Sequence, residues 1–277
     1  MRRDAGKDTP APRNPDLESR SLRAIRRLTH LDDPERVALY RELLARETPP
    51  DLAELDERRM RLLTLLAWGL DSGRSGHSSI AGYVVALWGE IAVRNELLDL
   101  LKVLDARSRT RPAPSPLGPE TPLTLHARYS RQEVVAALGY ASGVKPKVTQ
   151  GGILWVPQAQ SDVFFVDLRK AERDYSPTTM YRDYAISREL FHWESQSRQT
   201  PEQPTVQRYI QHGDRGTNVL LFVREQRRNE LGTSPFYFLG PVSYVKHEGD
   251  RPVAFTWRLH SPMPEEVFEV ARSVAAA

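Results

Sequence analysis

Pro112, Pro114, Pro116 and Pro119 fall within eight residues and divide the chain into two parts with different apolar periods. Proline fixes φ and lacks a backbone N–H, so neither a helix nor a central strand runs through such a stretch. Residues 108–120 therefore read as a semi-rigid linker. Ahead of it the apolar residues recur at helical spacing; behind it they form short β-branched or aromatic runs.

The first part is read as all-α. Leu22, Ile25 and Leu28 begin the helical spacing, after a polar segment, residues 1–15, that is expected to be disordered. Asp33-Pro34-Glu35 is a helix start: an N-cap acid, proline at the first helical position and an acid in the first turn. Val37, Tyr40, Leu43 and Leu44 then form one stripe, which Thr48-Pro49-Pro50 ends. Met60, Leu63, Leu66 and Leu70 mark the next helix, and Asp71 to Gly76 a break. Val84 to Trp88 and Ile91 to Leu104 complete a helical linker domain over residues 16–107.

In the second part, residues 121–277, Gln132 to Leu138 and Pro264 to Ala276 read as helices. Ile153 to Val156, Val163 to Val166, Val219 to Val223, Phe236 to Leu239 and Val253 to Leu259 read as strands bounded by Gly and Pro. The fold class is α+β: an N-terminal helical unit followed by a curved or barrel-like β domain with a few helices.

Several function classes are excluded. With no cysteine, disulfides, thiol catalysis and Cys-ligated zinc are ruled out. Asp71 to Ser79 has glycines but lacks the Gly-Lys-Ser/Thr of a phosphate-binding loop. The His-x-Lys pair of phospholipase-D-type nucleases, His-Glu-x-x-His and Gly-x-Ser-x-Gly are missing as well. No apolar run approaches the roughly 20 residues that span a bilayer. Met1-Arg2-Arg3-Asp4 leads into polar sequence rather than an apolar core, so a cytoplasmic chain without membrane partners is expected. Lys and Arg total 39 against 36 Asp and Glu, a net charge of +3 that by itself says nothing about nucleic acid.

Asp174 to Arg224 is the most informative stretch. Tyr175, Tyr181, Tyr184, Trp193 and Tyr209 are interleaved there with Arg182, Arg188, Arg198 and Arg208, and Arg173 comes just before it. Arginine neutralises phosphates and flat rings stack on bases, so the mixture suits nucleic acid. The same composition fits half-buried strands and turns whose rings are core and whose arginines are solvated, and both readings stand. Glu194, Ser195 and Gln196 beside Trp193 could ring the polar edge of an extruded base; equally, the serines could bond local backbone. Asp183 followed by Glu194-x-Gln196 has the form of a degenerate nuclease metal site, a weak pattern.

Ser176 to Ser187, Leu190 to Ser197, Arg215 to Arg224 and Phe238-Leu239-Gly240-Pro241 together resemble a bacterial C-terminal domain family. In SauUSI-like type IV restriction enzymes that domain follows a phospholipase-D-like nuclease and a superfamily-two helicase. The resemblance spans Leu123 to Val274, and His30-Leu31-Asp32-Asp33-Pro34-Glu35-Arg36 is similar to the segment joining helicase to domain. It implies a target-recognition module for duplex DNA carrying 5-methylcytosine or 5-hydroxymethylcytosine, acting in phage defence with helicase and nuclease domains in cis or trans. An SRA- or PUA-like sheet that flips the base follows by fold analogy. The nuclease and helicase have no counterpart in this sequence.

On that reading Tyr181, Tyr184, Trp193 and Tyr209 hold the base, and Asp183, Glu194, Ser195 and Gln196 read its edge. Arg182, Arg188, Arg198 and Arg208 dock on phosphates. No catalytic residue, cofactor or metal is expected. The alternatives are a metal-dependent nuclease using Asp183 and Glu194, and a protein-interaction module built on the helical half.

Overall fold

A computed structural model describes residues 10–71, 77, 79–107, 116–140, 151–169, 183–230 and 232–274. By contacts the chain divides into two compact units, Met1–Val148 and Thr149–Ala277.

In the first unit the helices follow their caps. Asn14 accepts from the Leu17 N–H at 3.0 Å and starts α1 (Pro15–Ala24), so order begins before the Leu22 spacing suggests. Asp33 accepts from the Glu35 N–H at 3.0 Å and starts α2 (Pro34–Leu44), whose Val37, Tyr40, Leu43 and Leu44 are all buried. Next come α3 (Glu57–Asp71), α4 (Ile80–Gly89, capped by Ser79) and α5 (Ile91–Arg107). On α5 the stripe Val93, Leu97, Leu101, Leu104 is buried, the spacing of one helix face. A two-residue strand, β1 (Arg128–Tyr129), precedes α6 (Arg131–Ala137), which carries a Ser130–Glu133 capping box.

A buried polar network holds residues 121–137 in this unit, beyond the proline-rich stretch where the sequence puts the change of domain. Arg36 is fully buried and pairs with Glu133. Its guanidinium lies 5.2 Å from the Tyr129 ring centroid. The second Asp33 oxygen accepts from Thr124 Oγ1 at 2.9 Å and from the Tyr129 hydroxyl at 2.8 Å. Glu133 also meets His30 Nε2 at 2.8 Å. Burial alone would raise the Glu133 carboxyl; Arg36 and His30 overcome it and hold it below the usual carboxylate range. The charged residues of the His30–Arg36 motif thus do structural work.

The second unit is built on one mixed sheet. Its strands are β2 (Ile153–Val156), β3 (Ser161–Asp167), β4 (Tyr184–Ala185), β5 (Leu190–Glu194), β6 (Asn218–Arg224), β9 (Phe236–Glu248) and β10 (Ala254–Leu259). They lie in the order β2-β3-β6-β9-β10-β5-β4. Only the β3–β6 pair in this order is parallel. The sheet is open, not a closed barrel. A separate exposed ribbon pairs β7 (Arg228–Asn229) with β8 (Gly232–Thr233). Two helices complete the unit, α7 (Pro204–Ile210) and α8 (Glu265–Ser273).

One face of the sheet packs Phe164, Phe191, Trp193, Phe255 and Trp257 with Val206 and Tyr209 of α7 and Val267 and Ala271 of α8. On the other face of β3, β6 and β9 the rings of Phe165, Phe222, Phe236 and Phe238 are also buried. Phe164 stacks on Trp193 with centroids 4.2 Å apart, and Phe255 on Trp257 at 5.5 Å. Such pairs each add about 0.5–1.5 kcal/mol beyond area burial.

Candidate nucleic-acid interface

Side chains alternate across a strand, so every inward ring on β5 and β10 has an outward neighbour. On β5, Phe191 and Trp193 point into the core while Leu190, His192 and Glu194 face out. On β10, Phe255, Trp257 and Leu259 alternate with Thr256 and Arg258, and Arg258 is exposed. Register aligns the outward residues in rows: Tyr184, His192, Thr256 and Lys246 in one, Leu190, Arg258 and Ser243 in the next. The Tyr184 and His192 rings stack with centroids 4.6 Å apart. Glu194 follows on the same face, its carboxylate 3.8 Å from His192 Nε2. Ser243 Oγ is 2.8 Å from His260 Nε2. Lys246 is engaged by Glu248 at 2.5 Å, whereas Arg258 has no acidic partner among the described residues. The result is a polar sheet surface with a ring pair at its edge strand and an unpaired guanidinium one strand inward of β5.

The residues expected to line one base pocket are split between the faces. Trp193 is only 5% exposed and Tyr209 is fully buried. Tyr209 meets Phe164 edge to face at 5.0 Å, and burial pushes its hydroxyl well up. Neither ring is available as a stacking platform: β5 turns the indole away from the side that carries Glu194. Asp183 is buried and accepts from the Glu194 N–H at 3.0 Å, which fixes β4 against β5. Ser195 is buried too; its Oγ accepts from the Val253 N–H at 3.0 Å, closing the β5–β10 ladder. Ser195 thus bonds backbone, but chiefly that of Val253, 58 residues away, with the local Gln196 carbonyl at 3.4 Å as a second contact. Gln196 is exposed, with its backbone N–H bonded to Gln199 at 3.2 Å. Of the proposed pocket, Tyr184 and Glu194 stand on the outer face. Tyr181 and Arg182 lie outside the described residues.

The arginines also part company. Arg208 makes a two-point pair with Asp162, at 2.6 and 2.7 Å, and lies 4.4 Å from the Trp155 ring centroid. Asp162 is wholly buried, and that burial raises its carboxyl although Arg208 pulls it down. Arg208 is therefore committed to a buried carboxylate rather than held for phosphate. Arg188 donates to the Met263 carbonyl at 2.9 Å and approaches Glu265 at 3.4 Å. Arg198 is exposed. Among the described residues no group of three or more His, Asp or Glu side chains could hold a metal ion.

One histidine is built into the fold. His212 Nε2 accepts from the Tyr244 N–H at 3.1 Å and Nδ1 faces the Thr217 carbonyl at 3.3 Å. That pair of bonds needs the neutral ring with its proton on Nδ1, and burial lowers its pKa.

Arg258 and Lys246 were not singled out in the sequence. The signal was present: in Phe255-Thr256-Trp257-Arg258-Leu259-His260 the polar residues occupy every second position.

Two crystal structures of Arabidopsis thaliana SUVH6 in complex with SAM, forms 1 and 2, are similar to this chain at 12% identity, with TM-scores of 0.32 and 0.33. Each similarity covers 90% of this chain and 39% or 40% of the other, so the chain spans about two fifths of their length. No curated protein matches the chain. Residues 123–271 match the family described as Domain of unknown function (DUF3427), which is more than half of the 277 residues, and the chain belongs to that family.

Proposed function

We propose that this chain binds duplex DNA carrying a modified cytosine, as the target-recognition module of a SauUSI-like type IV restriction system, and that it has no catalytic site of its own. The family match over residues 123–271 coincides with the span of the resemblance that suggests this role. The observation that carries the reading is the outer face of β4, β5 and β10, where the stacked Tyr184–His192 rings stand near the unpaired Arg258.

The chemistry follows from that arrangement. A ring on a sheet surface can stack only on a base that has left the helix, so recognition proceeds through an extruded base. Tyr184 and His192 provide the platform. Glu194 accepts from the cytosine amino group, which thymine lacks. Arg258 takes a phosphate and fixes register without reading sequence. Asp183 and Ser195 hold β4, β5 and β10 in place for this.

A titration against otherwise identical duplexes with plain, methylated and hydroxymethylated cytosine tests the proposal. Tyr184→Ala should remove about 1–3 kcal/mol of stacking, felt on modified DNA. Arg258→Ala should weaken all duplexes alike and lower the salt slope by about 0.9. Equal affinity of the parent protein for the three duplexes would refute modified-base recognition.

A further inference from the structure

The ribbon formed by β7 and β8 takes no part in the core, yet it is firmly rooted. At its base Arg224 pairs with Asp167 through two nitrogens, one of them at 3.2 Å, and donates to the Ser234 carbonyl at 3.0 Å. The same guanidinium lies 4.1 Å from the Phe236 ring centroid. The Ser234 N–H closes the ribbon onto the Arg227 carbonyl at 3.1 Å, and the ladder continues through Arg228–Thr233 and Asn229–Gly232. Gly232 has φ +124°, a conformation that favours glycine.

Beyond this root Glu225 to Glu230, Gly232 and Thr233 are all exposed. Glu225 is taken by Arg169 at 3.0 Å. Arg227 and Arg228 have no ion-pair partner among the described residues, and Glu230 is the remaining acid on the described ribbon. Two adjacent unpaired guanidinium groups on a fixed two-stranded arm form a geometry of a particular kind. Guanidinium binds phosphate oxygens through two parallel N–H donors. A two-stranded ribbon is also narrow enough for the major groove, which is about 12 Å wide.

We infer that this ribbon is a second DNA contact, with Arg227 and Arg228 docking on backbone phosphates of the duplex whose modified base is read at the outer face. The inference rests on the proposed function and adds a contact to it. Phe236, at the ribbon's root, and Ser243, opposite Arg258, are seven positions apart on β9. At about 3.3 Å per residue that is about 23 Å, less than one helical turn of B-DNA, about 34–36 Å.

The test is the salt dependence of duplex binding by the full chain and by an Arg227→Ala/Arg228→Ala double variant. Each phosphate contact contributes about 0.9 to the slope, so two contacts make the parent lose about twelvefold more affinity than the variant between 50 and 200 mM salt. The ratio of modified to plain affinity should stay the same, because phosphates carry no base information. Arg227→Lys/Arg228→Lys should recover most of the slope. Thermal unfolding should be unchanged in both variants, since neither side chain is buried. A parent that binds DNA, with a double variant of equal slope and affinity, overturns the ribbon contact alone. A parent with no affinity for any duplex overturns the proposed function and the ribbon with it.

Discussion

Trp193→Ala separates the two readings of the β5 motif, because the structure makes Trp193 a core residue and not a ligand contact. The indole is 5% exposed, stacks on Phe164 at 4.2 Å and lies 5.6 Å from the Phe255 ring centroid. Burying about 200 Å² at about 25 cal/mol/Å² gives about 5 kcal/mol, of which alanine keeps a small part. Large-to-small core changes of this kind cost about 3–5 kcal/mol, so about 4 kcal/mol is expected here. For a unit of this size that lowers the melting temperature by about 15 °C. Calorimetry or urea unfolding of the parent and variant measures the loss; fluorescence anisotropy with modified and plain duplexes measures binding on the same samples. Where the variant remains folded, its preference for modified DNA should equal the parent's. A variant that keeps the parent's melting temperature but loses that preference would refute the core assignment and restore Trp193 to the site.

Two further outcomes follow from buried charge. Arg208→Ala leaves Asp162 buried without its partner and should cost about 3 kcal/mol, the low end for a broken buried pair because Arg208 keeps some solvent. The deficit should shrink as the pH is lowered into the range where Asp162 protonates, and the salt slope of DNA binding should not change; a changed slope with unchanged stability would return Arg208 to the phosphate contacts. For His212 the folded pKa lies below its ordinary value, so its contribution is complete above about pH 6.5 and is lost as pH falls toward the folded pKa. Unfolding free energy should therefore decline below pH 6.5 in the parent, and His212→Gln should flatten that decline; parallel profiles would refute the assignment.

The fold was legible where a physical signal was local. Asp33-Pro34-Glu35 announced α2 because a cap, a fixed φ and a first-turn acid act within one turn. The β-branched runs at 153–156 and 219–223 announced β2 and β6. In Leu190–Glu194 the polar and aromatic chemistry masks the alternation that makes β5, and that alternation is what keeps Trp193 and Glu194 from facing the same side. The domain boundary was set by prolines, a covalent feature, whereas the compact unit is set by Arg36, Glu133, Asp33 and Tyr129. Those partners are about a hundred residues apart, and no window of sequence brings them together.

Strand alternation also explains how one motif can hold the core and still offer the outer face that the proposed function uses. In Leu190 to Ser197 the odd-numbered Phe191, Trp193 and Ser195 are buried: two fill the core, and the third ties β5 to the backbone leading into β10. The even-numbered His192 and Glu194 face out, beside Tyr184. Inward substitutions act through packing and backbone hydrogen bonds, so they change the folded fraction and reach every ligand equally. Outward ones leave the core intact and can change one duplex relative to another. A motif assigned to a pocket as a block confuses the two effects. Assigned by parity, it puts the proposed recognition on the side of the sheet that also bears Arg258, and leaves the rings of the inner face to the core.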